Sequence, residues 1–227
     1  MDPSDESPEP AWPAVDDYVA GLLHAPDADL DRALDACESA GLPAIQVSAT
    51  MGKLLHLLAR VHGARRVLEI GTLGGYSTIW LARALRDDGR VTTIELEAEH
   101  ARVAEANFVA AGVAEKIDLR VGNALDALPQ IEAEGIAPFD FIFIDADKPG
   151  NVAYLEWAVK LSRSGTLIVL DNVVRSGELI DADSADVKVQ GSRAALEWLG
   201  AHPEIDSTAI QTVGAKGYDG FAIAVVT

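Results

Sequence analysis

The sequence predicts a doubly wound α/β domain, in which helices cover both faces of a mostly parallel sheet. Strand-like and helix-like segments alternate along the chain from residue 66 onward. The strand-like segments are continuously apolar rather than alternating between apolar and polar residues, as expected of strands that are buried on both faces. A glycine-rich turn at residues 71–75 follows the first strand and leads directly into a helix. This order of strand, turn and helix is typical of sites that hold a nucleotide-like ligand.

The strands and helices of this domain follow from apolar periodicity and from turn residues. Strands are predicted at residues 66–70, 90–95, 117–121, 139–145 and 166–171. Helices are predicted at residues 76–85, 98–111, 124–134, 151–161 and 185–199. The chain then ends in two apolar strands at residues 205–210 and 221–226, joined through a turn at 214–220. So short a connection requires these two strands to be antiparallel.

The chain ahead of the sheet is predicted to form an acidic tail and accessory helices. Residues 1–12 contain prolines and carboxylates with little to bury, and we expect them to be disordered. Residues 13–44 hold two short amphipathic helices, and the main domain spans residues 45–227. That domain opens with a helix for which Ser48 and Thr50 are the candidate N-caps.

The composition favours a single domain in a reducing compartment. With 227 residues, of which 49% are hydrophobic, the chain can bury a full core. Its apolar runs fall short of the ~20 residues needed to cross a bilayer, and its N-terminus is acidic, so we expect a cytoplasmic protein. The single cysteine, Cys37, excludes an internal disulfide and a thiolate zinc cluster, and we expect it to be a small buried hydrophobe.

The formal net charge of −18 limits the classes of partner. Such a charge repels a phosphate backbone, so nucleic acid is not expected to bind. It also disfavours a polyanionic substrate such as a coenzyme A thioester, unless a local basic patch offsets the field. A small neutral or cationic ligand meets no such barrier.

The spacing of the glycines argues against a nicotinamide dinucleotide. The turn has glycines at Gly71, Gly74 and Gly75, so Leu73 stands where the G-x-G-x-x-G fingerprint has its second glycine. A phosphate-binding loop of the pattern G-x-x-x-x-G-K-[ST] is absent from the sequence. Glu95 ends the second strand, where a carboxylate would accept hydrogen bonds from ribose hydroxyls. These residues predict a ligand with a ribose without identifying it.

Four motifs together resemble one family. They are the turn Glu69–Ser77, the acidic Glu95, the segment Asp145-Ala146-Asp147-Lys148 and the pair Asp171-Asn172. In residue type, order and strand placement they are similar to the class I S-adenosylmethionine-dependent O-methyltransferases, in the metal-dependent branch with the catechol and caffeoyl-CoA enzymes. The resemblance covers roughly residues 45–227. It implies a Rossmann-like, seven-stranded and mostly parallel sheet with a reversed last strand.

The same resemblance implies a binding site for S-adenosylmethionine. Its residues would be Val47, Glu69, Gly71, Ser77, Glu95, Asn123, Ala124 and Asp145. Glu69 and Ser77 would face the polar methionine end of the cofactor. Without the resemblance, Glu69 is equally a strand-end carboxylate satisfied by neighbouring N–H groups, because buried carboxylates demand partners.

Asp145, Asp171 and Asn172 are expected to bind a divalent cation. Both aspartates terminate apolar strands, and ligands of open α/β sheets bind outside the carboxyl ends of the strands. A set of oxygen ligands without His or Cys suits a hard octahedral cation, so Mg²⁺ is the first choice, with Mn²⁺ and Ca²⁺ as alternatives. The five histidines match no zinc-binding spacing.

Lys148, three residues beyond Asp145, is the candidate catalytic base. Methyl transfer from a sulfonium to a phenol needs an oxyanion nucleophile, yet a free phenol has a pKa near ~10. Coordination to a dication lowers the pKa of the phenol, while Lys148 would accept or stabilise the leaving proton. Composition alone favours a solvated surface lysine at this position.

One segment departs from the family pattern. Family members commonly continue the Asp-Ala-Asp-Lys segment with an Asn-Tyr pair, whereas Pro149-Gly150-Asn151 follows here and the aromatic residue comes at Tyr154. We therefore expect the wall of the acceptor site to differ locally. The loop at residues 173–181 is expected to close over the acceptor, with an ordinary connection as the alternative.

The expected function is metal-dependent O-methylation of a small aromatic molecule with adjacent hydroxyls, because two neighbouring oxygens can chelate a cation. The alternatives are an NAD-dependent oxidoreductase and a non-catalytic binding protein on the same kind of sheet. Membrane and nucleic-acid partners are not expected. The resemblance also implies a homodimer, and the N-terminal helices offer apolar faces for the core or for a second subunit.

Overall fold

Seven strands form one sheet in the computed structural model, which describes residues 11–227. They are β1 (Arg66–Ile70), β2 (Arg90–Glu95), β3 (Ile117–Val121), β4 (Phe141–Ile144), β5 (Leu167–Asp171), β6 (Ile205–Gly214) and β7 (Gly217–Val226). Their order across the sheet is β3-β2-β1-β4-β5-β7-β6. Strands β1 to β5 pair in parallel, and β7 is antiparallel to both β5 and β6. The predicted doubly wound, mostly parallel sheet with a reversed last strand is confirmed.

Eight α-helices lie within residues 11–227 and cover both faces of this sheet. They are α1 (Trp12–Leu23), α2 (Ala28–Ser39), α3 (Ala49–His62), α4 (Tyr76–Ala84), α5 (Ala98–Ala110), α6 (Ala124–Ala133), α7 (Asn151–Lys160) and α8 (Val187–Ala201). In β4, Phe141 and Phe143 pack into one buried core, while Ile142 and Ile144 pack into the core on the opposite face. Successive strand residues thus bury opposite faces, which explains the unbroken apolar run.

Strand β4 is shorter than the predicted strand at residues 139–145. Phe139 donates its N–H to the carbonyl of Leu161, just after α7, and so contributes no donor to the ladder. The run remains apolar because Phe139 is still buried, at 1% exposure. Burial without strand pairing is a distinction that an apolar pattern alone does not make.

The C-terminal hairpin is tighter than predicted. Strands β6 and β7 remain paired up to Gly214 and Gly217, so the chain turns at residues 215–216 rather than through 214–220. Gly217 has a φ of +90°, which favours glycine at the end of so short a turn. Because β5 pairs with β7 only at residues 221–225, the hairpin extends beyond the sheet as a two-stranded ribbon.

The segment before the sheet contributes unequally to the core. The predicted disordered tail, residues 1–12, lies outside the described residues as far as residue 10, and α1 begins at Trp12. All residues of α1 are at least partly exposed, whereas α2 buries Leu30, Ala33 and Cys37. Cys37 is buried as predicted, and burial raises the pKa of its thiol. No helix within residues 11–227 is long and apolar enough to span a membrane.

Helix α3 leads into the site. Ser48, rather than Thr50, is its N-cap, because the Ser48 hydroxyl accepts the N–H of Met51 at 3.1 Å. Gly52 packs directly on the indole of Trp80 in α4; a Cβ on Gly52 would lie 2.4 Å from a ring carbon. This close contact between α3 and α4 fixes the segment before α3 beside the carboxyl ends of the strands.

Asp140 fixes the start of β1 at the opposite edge of the sheet. Its Oδ2 accepts the N–H groups of Arg65 and Arg66 at 2.8 and 2.9 Å, and its Oδ1 accepts from Nη2 of Arg163 at 2.6 Å. Burial alone would raise the pKa of Asp140, but these backbone and guanidinium donors outweigh it and hold the pKa below its usual value.

We expect Asp140→Asn to lower the free energy of unfolding by about 1 to 3 kcal/mol at neutral pH, because three partly buried donors lose a charged acceptor. Since the pKa is lower in the folded state, the stabilisation is present above the ordinary pKa of aspartate. It is lost as the pH falls through the folded-state value. Denaturant unfolding at several pH values measures both effects.

The control for this experiment is Asp88→Asn. Asp88 pairs with Arg65 on the surface, where both side chains are more than half exposed. Its replacement should therefore lower the free energy of unfolding by less than about 1 kcal/mol. Equal stability of Asp140→Asn and the wild-type protein at neutral pH would contradict the assignment.

Candidate functional site

The glycine turn after β1 is held in place by the carboxylate of Glu95, at the end of β2. Oε2 of Glu95 accepts the N–H groups of Thr72 and Leu73 at 3.1 and 2.7 Å, and Oε1 accepts the N–H of Glu97 at 3.0 Å. Leu73 has a φ of +50°, a conformation that few residues with a side chain adopt. A buried carboxylate that collects backbone donors thus stabilises a turn in which leucine replaces glycine.

Gly71 is the point of closest approach between β1 and β4. A Cβ at this position would lie 2.1 Å from the carbonyl oxygen of Asp145, and the φ of Gly71 is +100°. A side chain would therefore separate the turn from the end of β4. Glycine is required here by both space and backbone conformation.

Glu69 lies behind the turn and is fully buried. Its carboxylate accepts hydrogen bonds from the hydroxyls of Ser77, at 2.7 Å, Thr78, at 2.5 Å, and Thr93, at 2.7 Å. Burial raises the pKa of Glu69 to about 7, and the charge of Asp145 adds to the rise, while the three hydroxyls act in the opposite direction. The partners of this strand-end carboxylate are side-chain hydroxyls.

A cavity of about 520 Å³ opens at the carboxyl ends of β1, β2 and β4. Of the residues predicted to bind the cofactor, those that line it are Val47, Gly71, Ser77, Glu95, Asn123, Ala124 and Asp145. Glu69 does not line the cavity; it contacts the lining residue Ser77 from behind. The structure therefore brings together all of the predicted set except Glu69, which reaches the cavity only through a hydroxyl.

Further residues of this cavity are not among those predicted from the sequence. Leu96 directly follows Glu95, and Nδ1 of His100, in the first turn of α5, lies 3.3 Å from Oε1 of Glu95. Both follow a strand end at the ligand-binding edge within five residues. That proximity is the sequence signal that identifies them, because residues just after such a strand end lie at the same edge.

The end of β4 contributes an ion pair to the cavity. Nζ of Lys148 lies 2.9 Å from Oδ1 of Asp145, and the Lys148 side chain is only 8% exposed. Gly191 of α8 packs on the backbone of Lys148, where a Cβ would lie 2.2 Å from the carbonyl oxygen. Helix α8 therefore buries Lys148, and the expectation of a solvated surface lysine, based on composition alone, does not hold. Tyr154 lines the same cavity, and its hydroxyl hydrogen-bonds to Asp147.

Asp171, at the end of β5, is partly buried beside Asp145. Burial and the negative charge of Asp145 raise the pKa of Asp171 to about 7, while Lys148 and the N–H of Asn172 counteract the rise. Asn172 has a φ of +57°, an uncommon conformation that is found disproportionately at functional sites. Two carboxylates thus share a region that has too little positive charge to balance them.

The residues at these two strand ends fit a hard divalent cation. Within residues 11–227 there is no group of three His, Cys, Asp or Glu side chains arranged for a metal. The candidate set instead consists of two carboxylates and the amide of Asn172. The oxygen donors of this set are what favours a hard cation, and the charge of Asp145, which raises the pKa of Asp171, agrees with it.

A second cavity, of about 510 Å³, adjoins the first. Asp145, Asn172 and Arg175 line both cavities, whereas Asp171, Met51 and Phe221 line only the second. The ends of β4 and β5 therefore form a boundary between two adjacent spaces. This arrangement suits a reaction between two bound molecules.

The loop at residues 173–181 contains a short 3-10 segment, Arg175–Ile180, with an unusual backbone. Arg175, Ser176 and Gly177 have φ values of +53°, +56° and +88°. Oδ1 of Asp219 accepts the N–H groups of Val174 and Arg175 at 3.0 and 2.9 Å and so holds the start of the loop. Arg175 is the residue of this 3-10 segment that lines both cavities.

Comparisons with known proteins agree over most of the chain. The family model described as O-methyltransferase matches residues 29–215. The catechol O-methyltransferase of Mycobacterium tuberculosis is 51% identical over 222 residues, which cover 98% of this chain and 98% of the relative. A solved O-methyltransferase from Bacillus cereus, in complex with SAH, is 55% identical with a TM-score of 0.94 and covers 96% of this chain and 99% of its own. The O-methyltransferase of tomaymycin synthesis from Streptomyces achromogenes, in complex with SAM, is 50% identical with a TM-score of 0.94. The match covers 98% of this chain and 100% of the solved chain.

The raised pKa of Glu69 predicts how its replacement changes stability with pH. The folded protein holds a proton that the unfolded chain releases above about pH 4.5, so Glu69 makes the free energy of unfolding fall as the pH rises from there to about 7. The glutamine side chain of Glu69→Gln does not titrate, so the free energy of unfolding of this variant lacks the decline that Glu69 causes. We expect the variant to gain stability relative to the wild-type protein across this window, by at most about 3 kcal/mol.

Chemical denaturation at pH values from 5 to 8 would measure this gain. Glu115→Gln makes the same charge change at an exposed position and should leave the pH profile of the wild-type protein unaltered. If the difference between Glu69→Gln and the wild-type protein were independent of pH, the buried carboxyl would not titrate in this range.

Proposed function

The chain belongs to the O-methyltransferase family and is an S-adenosylmethionine-dependent enzyme, and from that premise we propose that it methylates a hydroxyl of a small aromatic molecule with adjacent hydroxyls. The observation that carries this proposal is that Asp145 and Asn172 line both of two adjacent cavities, with Asp171 beside them in the second. In the proposal, the cavity beside the glycine turn holds the methyl donor and the second cavity holds the acceptor. The name of the Mycobacterium tuberculosis relative, catechol O-methyltransferase, supports the same acceptor class.

We propose that Asp145, Asp171 and Asn172 hold a divalent cation, with Mg²⁺ as the first choice. The set contains only oxygen ligands, which supports a hard cation, and the charge of Asp145, which raises the pKa of Asp171, agrees with it. A bound dication would lower the pKa of an acceptor hydroxyl and orient its oxygen. Two adjacent hydroxyls fit such a site better than one, because both oxygens can chelate.

In the donor cavity, Ser77 is proposed to accept a hydrogen bond from the ammonium group of S-adenosylmethionine. Its hydroxyl hydrogen is donated to Glu69, which leaves the oxygen lone pairs directed elsewhere. Glu69 would therefore act on the cofactor indirectly, by orienting Ser77. We propose that Glu95 contacts the ribose and that Val47, Gly71, Asn123 and Ala124 complete the cavity wall.

Lys148 is the proposed catalytic residue. It lines the first of the two proposed binding spaces, and its Nζ is held 2.9 Å from Oδ1 of Asp145, which lines both. From there it would accept or stabilise the proton that leaves the acceptor hydroxyl. Because the side chain is buried, its ammonium group interacts with neighbouring charges more strongly than a solvated lysine would.

We also propose that the protein is a homodimer. The side chains of Val15, Tyr18, Leu22 and Leu23 in α1 are exposed, at 55% or more. Large exposed apolar side chains on one helix are common at subunit contacts. A monomeric mass in solution at micromolar concentration would contradict this proposal.

The proposed reaction predicts chelator-sensitive methylation. With S-adenosylmethionine and catechol, we expect methylated product with Mg²⁺ and its loss with EDTA, restored when Mg²⁺ is added in excess. Mass spectrometry of the product measures turnover. Methylation that persists undiminished in EDTA would contradict the role of the cation, and failure with every vicinal dihydroxy aromatic tested would contradict the acceptor class.

Replacement of Lys148 by methionine should remove turnover without removing cofactor binding. We expect Lys148→Met to lower kcat by about 10²- to 10⁴-fold, the usual contribution of a group that moves a proton. Calorimetry should give a dissociation constant for S-adenosylmethionine within about twofold of the wild-type value. The control Lys160→Met removes the same charge from an exposed lysine that pairs with Glu132. If Lys148→Met retained full kcat, the assignment would be wrong.

A further inference from the structure

The proposed acceptor cavity contains two cationic side chains with different surroundings. Nζ of Lys216 donates a hydrogen bond to the carbonyl of Ala44 at 2.9 Å, so this lysine already has an acceptor. Nε of Arg175 is buried and has no hydrogen-bond acceptor within residues 11–227. Buried polar groups almost always have partners, so this exception marks Arg175 as a guanidinium that the protein leaves without a hydrogen-bonded acceptor. The side chain is 26% exposed and lines the cavity, where a ligand can supply an acceptor to it.

The neighbouring acid does not satisfy the guanidinium of Arg175. Nη1 lies 3.7 Å from Oδ2 of Asp219, which is beyond hydrogen-bond distance. Oδ1 of Asp219 is engaged by the backbone N–H groups of Val174, Arg175 and Gly220. Asp219 therefore positions the backbone of Arg175 and balances part of its charge, while the exposed part of the guanidinium stays available to a ligand in the cavity.

The backbone supports the same interpretation. Arg175 and the following Ser176 both adopt left-handed conformations, at φ values of +53° and +56°. Such conformations are unfavourable for residues with a side chain and persist where the surrounding structure enforces them. Here the hydrogen bonds to Asp219 enforce the conformation and direct Arg175 to the wall shared by both cavities.

We propose that Arg175 binds a carboxylate of the acceptor, so that the preferred substrates are aromatic acids with adjacent hydroxyls rather than neutral catechols. This inference rests on the proposed function of the same site. The planar guanidinium presents N–H donors in a fork that matches a carboxylate. A single negative charge also fits the surroundings better than a polyanion, because Asp145, Asp171 and Asp219 line the same cavity and the chain carries a net charge of −18.

The test compares protocatechuate, a dihydroxybenzoic acid with adjacent hydroxyls, with its neutral methyl ester. The measured quantity is the ratio of kcat/KM for the acid to kcat/KM for the ester. We expect a ratio of about 10 or more for the wild-type enzyme and a fall of about 10- to 100-fold in Arg175→Met, mainly through KM for the acid. Arg175→Lys keeps the charge without the fork and should give an intermediate ratio.

The control is Arg86→Met, which changes the net charge equally at an exposed residue outside both cavities and should leave the ratio unaltered. The affinity for S-adenosylmethionine, measured by calorimetry, distinguishes the carboxylate of the acceptor from that of the methyl donor as the partner of Arg175. Weaker cofactor binding in Arg175→Met with an unchanged ratio would assign Arg175 to the carboxylate of the methyl donor and overturn the proposal.

Two further outcomes separate this inference from the proposed function. If the wild-type enzyme methylates the ester or catechol as efficiently as the acid, the role of Arg175 is overturned while the proposed function stands. If none of these vicinal dihydroxy aromatics is methylated, the proposed function fails, and the inference fails with it.

Discussion

The contact between Gly71 and the carbonyl of Asp145 is the constraint on which the whole site depends. It joins the turn after β1 to the end of β4 with no room for a methyl group between them. The two strands are neighbours in the sheet, so their carboxyl ends must meet at one edge. Backbone contact at this point holds the glycine turn of the first cavity against Asp145, which lines both cavities. A reaction between two bound molecules depends on such fixed geometry.

Three carboxylates at this edge are distinguished by their partners. Glu69 receives three hydroxyl hydrogen bonds, and Glu95 receives three from backbone N–H groups. The hydrogen-bonding capacity of both is therefore taken up within the protein itself. Asp171 receives one, from the N–H of Asn172, among the described residues, and it faces the charge of Asp145. Because a buried charge without partners is unfavourable, the carboxylate with the fewest internal partners is the one most suited to an external cation.

Much of the fold was predictable from the sequence because burial on both faces leaves a clear pattern. Strands β1, β2 and β3 begin and end where the apolar runs and their flanking turns predict. The pattern fails at Phe139, which is buried without pairing as a strand. It also fails at the hairpin, where pairing continues through exposed residues as far as Gly217. Apolar periodicity reports burial, and hydrogen bonding in an exposed ribbon does not require burial.

The site was predictable where a residue ends a strand and less so elsewhere. Asp145 and Asn172 line the cavities because strand ends share one edge. The orientation of Glu69 away from the cavity depends on hydroxyls from α4 and β2, which lie on different elements of the fold. Arg175 adopts a left-handed backbone conformation although it is not glycine, so its residue type does not predict this conformation. The Asp219 that enforces it lies 44 residues further along the chain.

The two cavities differ in the segments that line them, and this difference bears on how such an enzyme can change during evolution. The first is built largely on strand ends and on the turn that Gly71 and Glu95 hold in place. The stretch before α3 and Arg175 line both, whereas the start of α3 and the β6–β7 hairpin line only the second. Substitutions at the tip of this hairpin leave the strand ends of the first cavity and their contacts intact. A chain with this division can acquire new acceptors while it keeps its methyl donor.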